Sequence, residues 1–190
     1  MARATRMDGQ RLWNRLRLIG WSAAAVLLIL PLVAMRYTSE VNWTLSDFLV
    51  VGALIGGCGL VLELATRMSD NLAYRFSWTV AVAAAFLLVW VNLAVGFLGD
   101  EGNLANLMFL GVIMVAAIGA LVVRARAAGM AQVMVTTGAA QVLAGLVGYG
   151  AGWASPAGQG VFEVTMGTSL FTGLWLLSAF LFGKAARSGA

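Results

Sequence analysis

The chain is expected to fold as an all-α, polytopic membrane protein, a six-transmembrane-helix bundle, and three observations lead there. Six apolar stretches follow one another along the 190 residues, each near the roughly 20 residues that cross a hydrocarbon core about 30 Å thick. Composition agrees. With 61% of residues hydrophobic and 11% charged, a soluble globule of this size would leave much apolar surface in water. Basic residues also recur in every second connection, as the inward loops of a membrane protein require. A transmembrane barrel is disfavoured, since its strands are segments of about 10 residues that alternate apolar and polar, whereas these runs are continuous.

The first element is a basic tail over residues 1–17, with Arg3, Arg6, Arg11, Arg15 and Arg17. Leu12, Trp13 and Leu16 fall at helical spacing beside Arg11 and Arg15. The tail therefore reads either as an interfacial helix on anionic lipid or as a segment that only sets orientation. A span follows at Leu18–Met35. A basic start before an apolar run has the form of a secretory signal, but this run has span length and no small-residue cleavage site, so it reads as retained.

The second span is Phe48–Ala65, crowded with Gly52, Gly56, Gly57 and Gly59. Gly52 and Gly56 form a GxxxG pair that lets helix backbones approach closely. The third span, Ser77–Phe97, carries Asn92, and the fourth, Leu107–Val123, is preceded by Asn103 and Asn106. The fifth, Met130–Gly150, holds Gln132, Gln141 and a glycine cluster that includes Gly148 and runs on to Gly152. The sixth, Val164–Gly183, is diluted in its first half by Thr165, Thr168, Ser169 and Thr172. The six spans make one transmembrane domain over residues 18–183, and residues 184–190 form a second tail. The glycine pairs read first as helix packing within the bundle and second as a self-association face or a pigment or lipid groove.

Charge orients this domain. Arg67 and Arg75 lie in the second connection, Arg124 and Arg126 in the fourth, and Lys184 and Arg187 in the last tail. The other connections hold Glu40, Asp47, Asp100, Glu101 and Glu163, with Arg36 as the one basic exception. Lys and Arg resist translocation, so both termini are expected in the cytoplasm. The acidic face reads either as ordinary solvated carboxylates or as a ring that attracts cations or a basic partner. Tyr37, Trp43 and Trp153 look like interfacial anchors.

A faint repeat joins Ala23–Leu28, Ala83–Leu88 and Ala139–Leu143. It admits a bundle built from three helical hairpins.

Little in the chain suggests chemistry. Histidine is absent and Cys58 is the single cysteine, so the usual zinc, haem and iron–sulfur ligand sets are out of reach. No cofactor or metal is expected, no catalytic residue is identified, and the chain is not read as an enzyme. A net charge of +4 is accounted for by orientation, and the aromatic platforms and basic patches of nucleic-acid binders are missing.

The candidate polar residues are few. Glu63 is the acid inside a span, where a carboxylate is costly and by default a transport candidate. It also stands four residues before Arg67, so an ion pair at the interface is the plainer reading. Asn92, Asn103 and Asn106 gather at one corner, and Asn92 is expected to hydrogen-bond to the start of the fourth span. Gln132 and Gln141 complete the set as interhelical glue or permeant ligands.

The segments Glu40–Thr44, Asp47–Phe48, Ala73–Arg75, Val89–Gly96 and Asn103–Met108 resemble a family of small polytopic bacterial inner-membrane proteins, over roughly residues 40 to 145. The resemblance implies a bacterial cytoplasmic membrane and carries over no activity, substrate or catalytic residue. Two expectations follow. One is a non-catalytic accessory, assembly or structural component that packs against itself or a larger membrane complex, with the lipid bilayer as its first partner. The other is a small transporter or channel for a cation or small solute, using Glu63 or the Asn92/Asn106 corner.

Overall fold

Backbone groups in hydrocarbon must find partners within their own segment, and each apolar stretch does so as a helix. The computed structural model describes residues 2–99, 102–153 and 159–189, with residues 2–14, 16 and 159 as backbone alone. The helices are α1 Ala2–Tyr37, α2 Leu45–Met68, α3 Leu72–Ala94, α4 Leu107–Val122, α5 Ala127–Gly150 and α6 Gln159–Arg187, with a 3-10 turn at Leu104–Asn106 before α4. All six are long and apolar enough to cross a membrane, and no strand occurs among the described residues. The protein is an all-α, multi-pass membrane protein.

Predicted and observed boundaries differ at a few ends, for local reasons. Helix α3 stops at Ala94 rather than Phe97, because Gly96 takes a left-handed φ of 74° and its N–H returns to the Val91 carbonyl. Helix α1 starts at Ala2 and runs unbroken to Tyr37, so the basic tail continues the first span as one helix. The side chains of Arg3, Arg6, Arg11, Leu12, Trp13 and Leu16 lie outside the described residues, as do Asp100, Glu101 and Pro156.

The chain divides into two compact units, Met1–Leu60 and Val61–Ala190. In the first unit, the start of α2 is fixed by two interlocking devices. The Thr44 N–H and hydroxyl both donate to Asp47 Oδ2 at 2.7 Å, a capping box that satisfies an otherwise orphaned donor. Trp43 meets Phe48 edge to face at 5.2 Å, the apolar staple across the same cap. Further along, Trp21 of α1 lies against Gly59, where a Cβ would come within 2.6 Å of the indole ring.

The second unit holds the core. Helix α6 packs along both α5 and α3, and α4 packs along α5, while α3 and α4 touch only sparingly. Consecutive helices are therefore not equivalent pairs, and the packing does not follow the sequence repeat. Leu88, Phe109, Met130, Met134, Trp175 and Phe182 are fully buried between these helices.

One end of this unit is knotted together by polar contacts. Arg75, 5% exposed, donates from Nε to the Ser69 carbonyl and from Nη2 to the Thr66 carbonyl and Asp70 Oδ1, at 2.7–2.9 Å. This closes the α2–α3 turn. The Tyr74 hydroxyl donates to the Ala125 carbonyl at 2.8 Å, and Asn71 Nδ2 donates to Ser188 Oγ at 2.7 Å. The α2–α3 turn, the α4–α5 turn and the end of α6 thus share one end, which also carries Arg67, Arg75, Arg124, Arg126, Lys184 and Arg187. The Phe182 ring sits edge to face on Tyr74 and Trp78 at 5.6 and 5.7 Å, beneath that knot.

Candidate functional site

Glu63 lies in the last turns of α2, where helical spacing brings it to Arg67. The Arg67 Nη2 to Glu63 Oε1 distance is 3.5 Å, with side-chain exposures of 71% for Arg67 and 20% for Glu63. Such a pair on a helix surface is worth only tenths of a kcal/mol, but it keeps the carboxylate from standing alone in an apolar helix.

The asparagine corner is built differently from the expectation. Asn92 does not reach the start of α4. Its Nδ2 donates to the Leu88 carbonyl one turn back in its own helix, at 2.7 Å, and its buried Oδ1 has no hydrogen-bond partner among the described residues. The physical reason is that a short amide on a helix interior finds the carbonyl of residue i−4 before anything across the bundle. Asn106 performs the locking instead. Its Oδ1 accepts from the backbone N–H groups of Phe97 and Leu98 at 2.9 and 2.8 Å, two donors left over where α3 ends. Asn103 caps the 3-10 turn, its Oδ1 accepting from the Ala105 N–H at 3.0 Å. The corner is held, with Asn106 9% exposed, and both Asn103 and Asn106 serve the backbone.

The glycines also sort by context. A Cβ on Gly148 would lie 2.5 Å from Leu98 Cδ2, so the residue is a close-packing position, as expected. Gly152 is not. It has φ of 73° and nothing within 4 Å of a would-be Cβ, and the Trp153 N–H returns to the Gly148 carbonyl at 3.0 Å. Gly152 therefore terminates α5 in a left-handed cap. Among the described residues nothing lies within 4 Å of a Cβ placed on Gly52, Gly56 or Gly57, so no described side chain packs tightly on the GxxxG pair, and Gly59 takes that role against Trp21.

Gln132 and Gln141, both on α5, part company. Gln132 faces an open groove of about 540 Å³ between α5 and α6, with Thr136 and Arg187 as its other polar groups. Gln141 is fully buried. The antiparallel register of α5 on α6 places it: a Cβ on Gly145 would lie 2.5 Å from Thr168 Oγ1, and one on Gly138 lies 3.6 Å from Trp175 Cβ. Gln141 falls between those glycines on the same stripe of α5, and Thr172 falls between Thr168 and Trp175 on α6. Gln141 and Thr172 therefore stand at one level on facing stripes. Gln141 Nε2 and Oε1, Thr168 Oγ1, Thr172 Oγ1 and Trp175 Nε1 are all buried without a hydrogen-bond partner among the described residues.

Two neighbouring hydroxyls are satisfied. Thr137 Oγ1 donates to the Val133 carbonyl at 2.8 Å, and Ser178 Oγ to the Ser77 carbonyl at 2.9 Å, tying α6 to α3. Arg75, at the knotted end, is the one charged residue among the buried side chains of the described chain. The seam at Gln141 is thus neutral and can donate and accept hydrogen bonds, with no acid, base or nucleophile pair. No group of three or more metal-ligating residues occurs among the described residues.

The sequence pointed to Gln141 but missed its company. Thr168, Thr172 and Trp175 follow the i, i+4, i+7 spacing of one helix face, a signal that was present; Thr168 and Thr172 stood out only as diluting the sixth span. In the sequence Arg75 reads as an orienting charge, and nothing in its local pattern marks it as buried. Compared with family models, with curated proteins and with solved structures, the chain matches none.

Proposed function

We propose that this protein is a non-catalytic, multi-pass component of the bacterial cytoplasmic membrane, with both termini in the cytoplasm, that packs against itself or a larger membrane complex as an accessory or structural subunit. The observation that supports this best is the commitment of the intramembrane acid, two corner asparagines and the buried arginine to the fold. Glu63 is engaged with Arg67, Asn103 and Asn106 with backbone N–H groups, and Arg75 with the α2–α3 turn. A transporter of cations or small solutes would need such groups turned toward a permeant. The Gly52–Gly56 face, unpacked within its own unit, has the small-residue character of a helix-docking surface.

The test is purification in mild detergent with native mass spectrometry, on the wild type and on Gly56→Ile. A homo-oligomer or a stoichiometric membrane partner that is lost in Gly56→Ile, while the chain still accumulates, is the expected result. A monomer whose behaviour the substitution leaves unchanged would sink the docking reading. The transport alternative is favoured by the polar atoms without a partner among the described residues, Asn92 Oδ1 at the corner and the Gln141 amide between α5 and α6, and for the corner it predicts solute uptake into proteoliposomes that Asn92→Leu abolishes.

A further inference from the structure

Five buried polar atoms lie along the stretch where α5 faces α6, and none of them has a hydrogen-bond partner among the described residues: both ends of the Gln141 amide, the hydroxyls of Thr168 and Thr172, and the Trp175 indole N–H. Buried polar groups are nearly always hydrogen-bonded, and in an apolar bundle the cost of leaving them bare is higher than in a protein surrounded by water. The atoms are also complementary. Gln141 Nε2 and the indole N–H donate, Gln141 Oε1 accepts, and the two hydroxyls do both.

We propose that this seam is a binding site for a small uncharged molecule that both donates and accepts hydrogen bonds, of which water is the smallest member. An ion fits poorly, because no charged side chain lies among the buried residues of α5 and α6. The two glycines that flank Gln141 set how closely the helices approach. A Cβ on Gly138 would meet Trp175 and Leu176 at the ordinary contact distances of 3.6–3.8 Å, whereas one on Gly145 would lie 2.5 Å from Thr168 Oγ1. The α5 backbone is therefore pressed hardest against α6 on the Thr168 side of Gln141.

The decisive measurement is on the wild-type full chain in lipid nanodiscs, selectively labelled with 15N-glutamine. The Gln141 side-chain amide, assigned by its disappearance in Gln141→Met, is expected to show magnetisation transfer from bound water. Adding saturating urea separates the two sources: persistence of the transfer identifies water as the occupant, and its loss identifies a displaceable site for small organic solutes. Thermal unfolding supplies a second readout. A satisfied amide makes Gln141→Met less stable than the wild type, whereas a bare amide makes that apolar replacement more stable. Absence of any water contact at Gln141, with or without urea, overturns the proposal whatever the stability of the variant.

Discussion

At the scale of single residues, the polar side chains of this protein differ in value because of where their hydrogen bonds end. Asn106 supplies the acceptor for two backbone donors, those of Phe97 and Leu98. Asn106→Ala strands both, and an orphaned buried donor costs about 1–3 kcal/mol. Unfolding by titration with denaturing detergent should show a loss of that size or more. Asn92→Leu should instead be neutral or mildly stabilising in the same assay, since it removes an unpaired Oδ1 and a bond that only doubles one of its own helix's carbonyls. Equal losses in the two variants would contradict this division. Glu63→Gln removes one member of an i,i+4 pair whose arginine is mostly solvated, so accumulation and stability should change by no more than a few tenths of a kcal/mol.

At the scale of elements, glycine marks two different kinds of helix face. Gly145 of α5 lies so close to Thr168 of α6 that an added methyl must displace a β-branched side chain near its own backbone. Overpacking of this kind costs about 1–3 kcal/mol. Gly145→Ala should therefore lower the unfolding midpoint clearly. Gly52→Ala should leave it within about 0.5 kcal/mol, because no described residue comes within 4 Å of a Cβ at that position. A pair of variants with the reverse ranking would place the tight helix contact in the wrong hairpin. Turns show a similar contrast. The α4–α5 turn places Arg124 and Ala125 at φ of 52° and 53°, where non-glycine residues are uncommon. The Tyr74 hydroxyl bonded to the Ala125 carbonyl helps to hold them there.

At the scale of the whole molecule, the basic residues predict orientation and the knotted end gives that prediction a physical form. The turns around Arg75 and Arg124 and the end of α6 meet through Tyr74, Ala125, Asn71 and Ser188. Reporter fusions at Ala190 should signal from the cytoplasm, and fusions after Gly99 from the opposite side. A periplasmic signal at Ala190 would remove both the orientation and the six-span count together.

By itself the sequence determined the number of helices, their approximate ends and the class of protein. These properties are local: an apolar run of span length must satisfy its backbone within itself, so helix formation follows without reference to any neighbour. The Glu63–Arg67 pair was legible for the same reason, since four residues apart on a helix is already a contact. Only the tertiary structure decided which face of each helix turns inward. These helices are apolar nearly all round, so no amphipathic stripe announces the buried side. The pairing of α6 with both α3 and α5, the locking role of Asn106 in place of Asn92, and the placing of Gln141 at the level of Thr172 all depend on rotation about a helix axis and on register between helices. Both are set by side-chain packing between segments far apart in the chain, where Gly145 admits Thr168 and Gly148 admits Leu98.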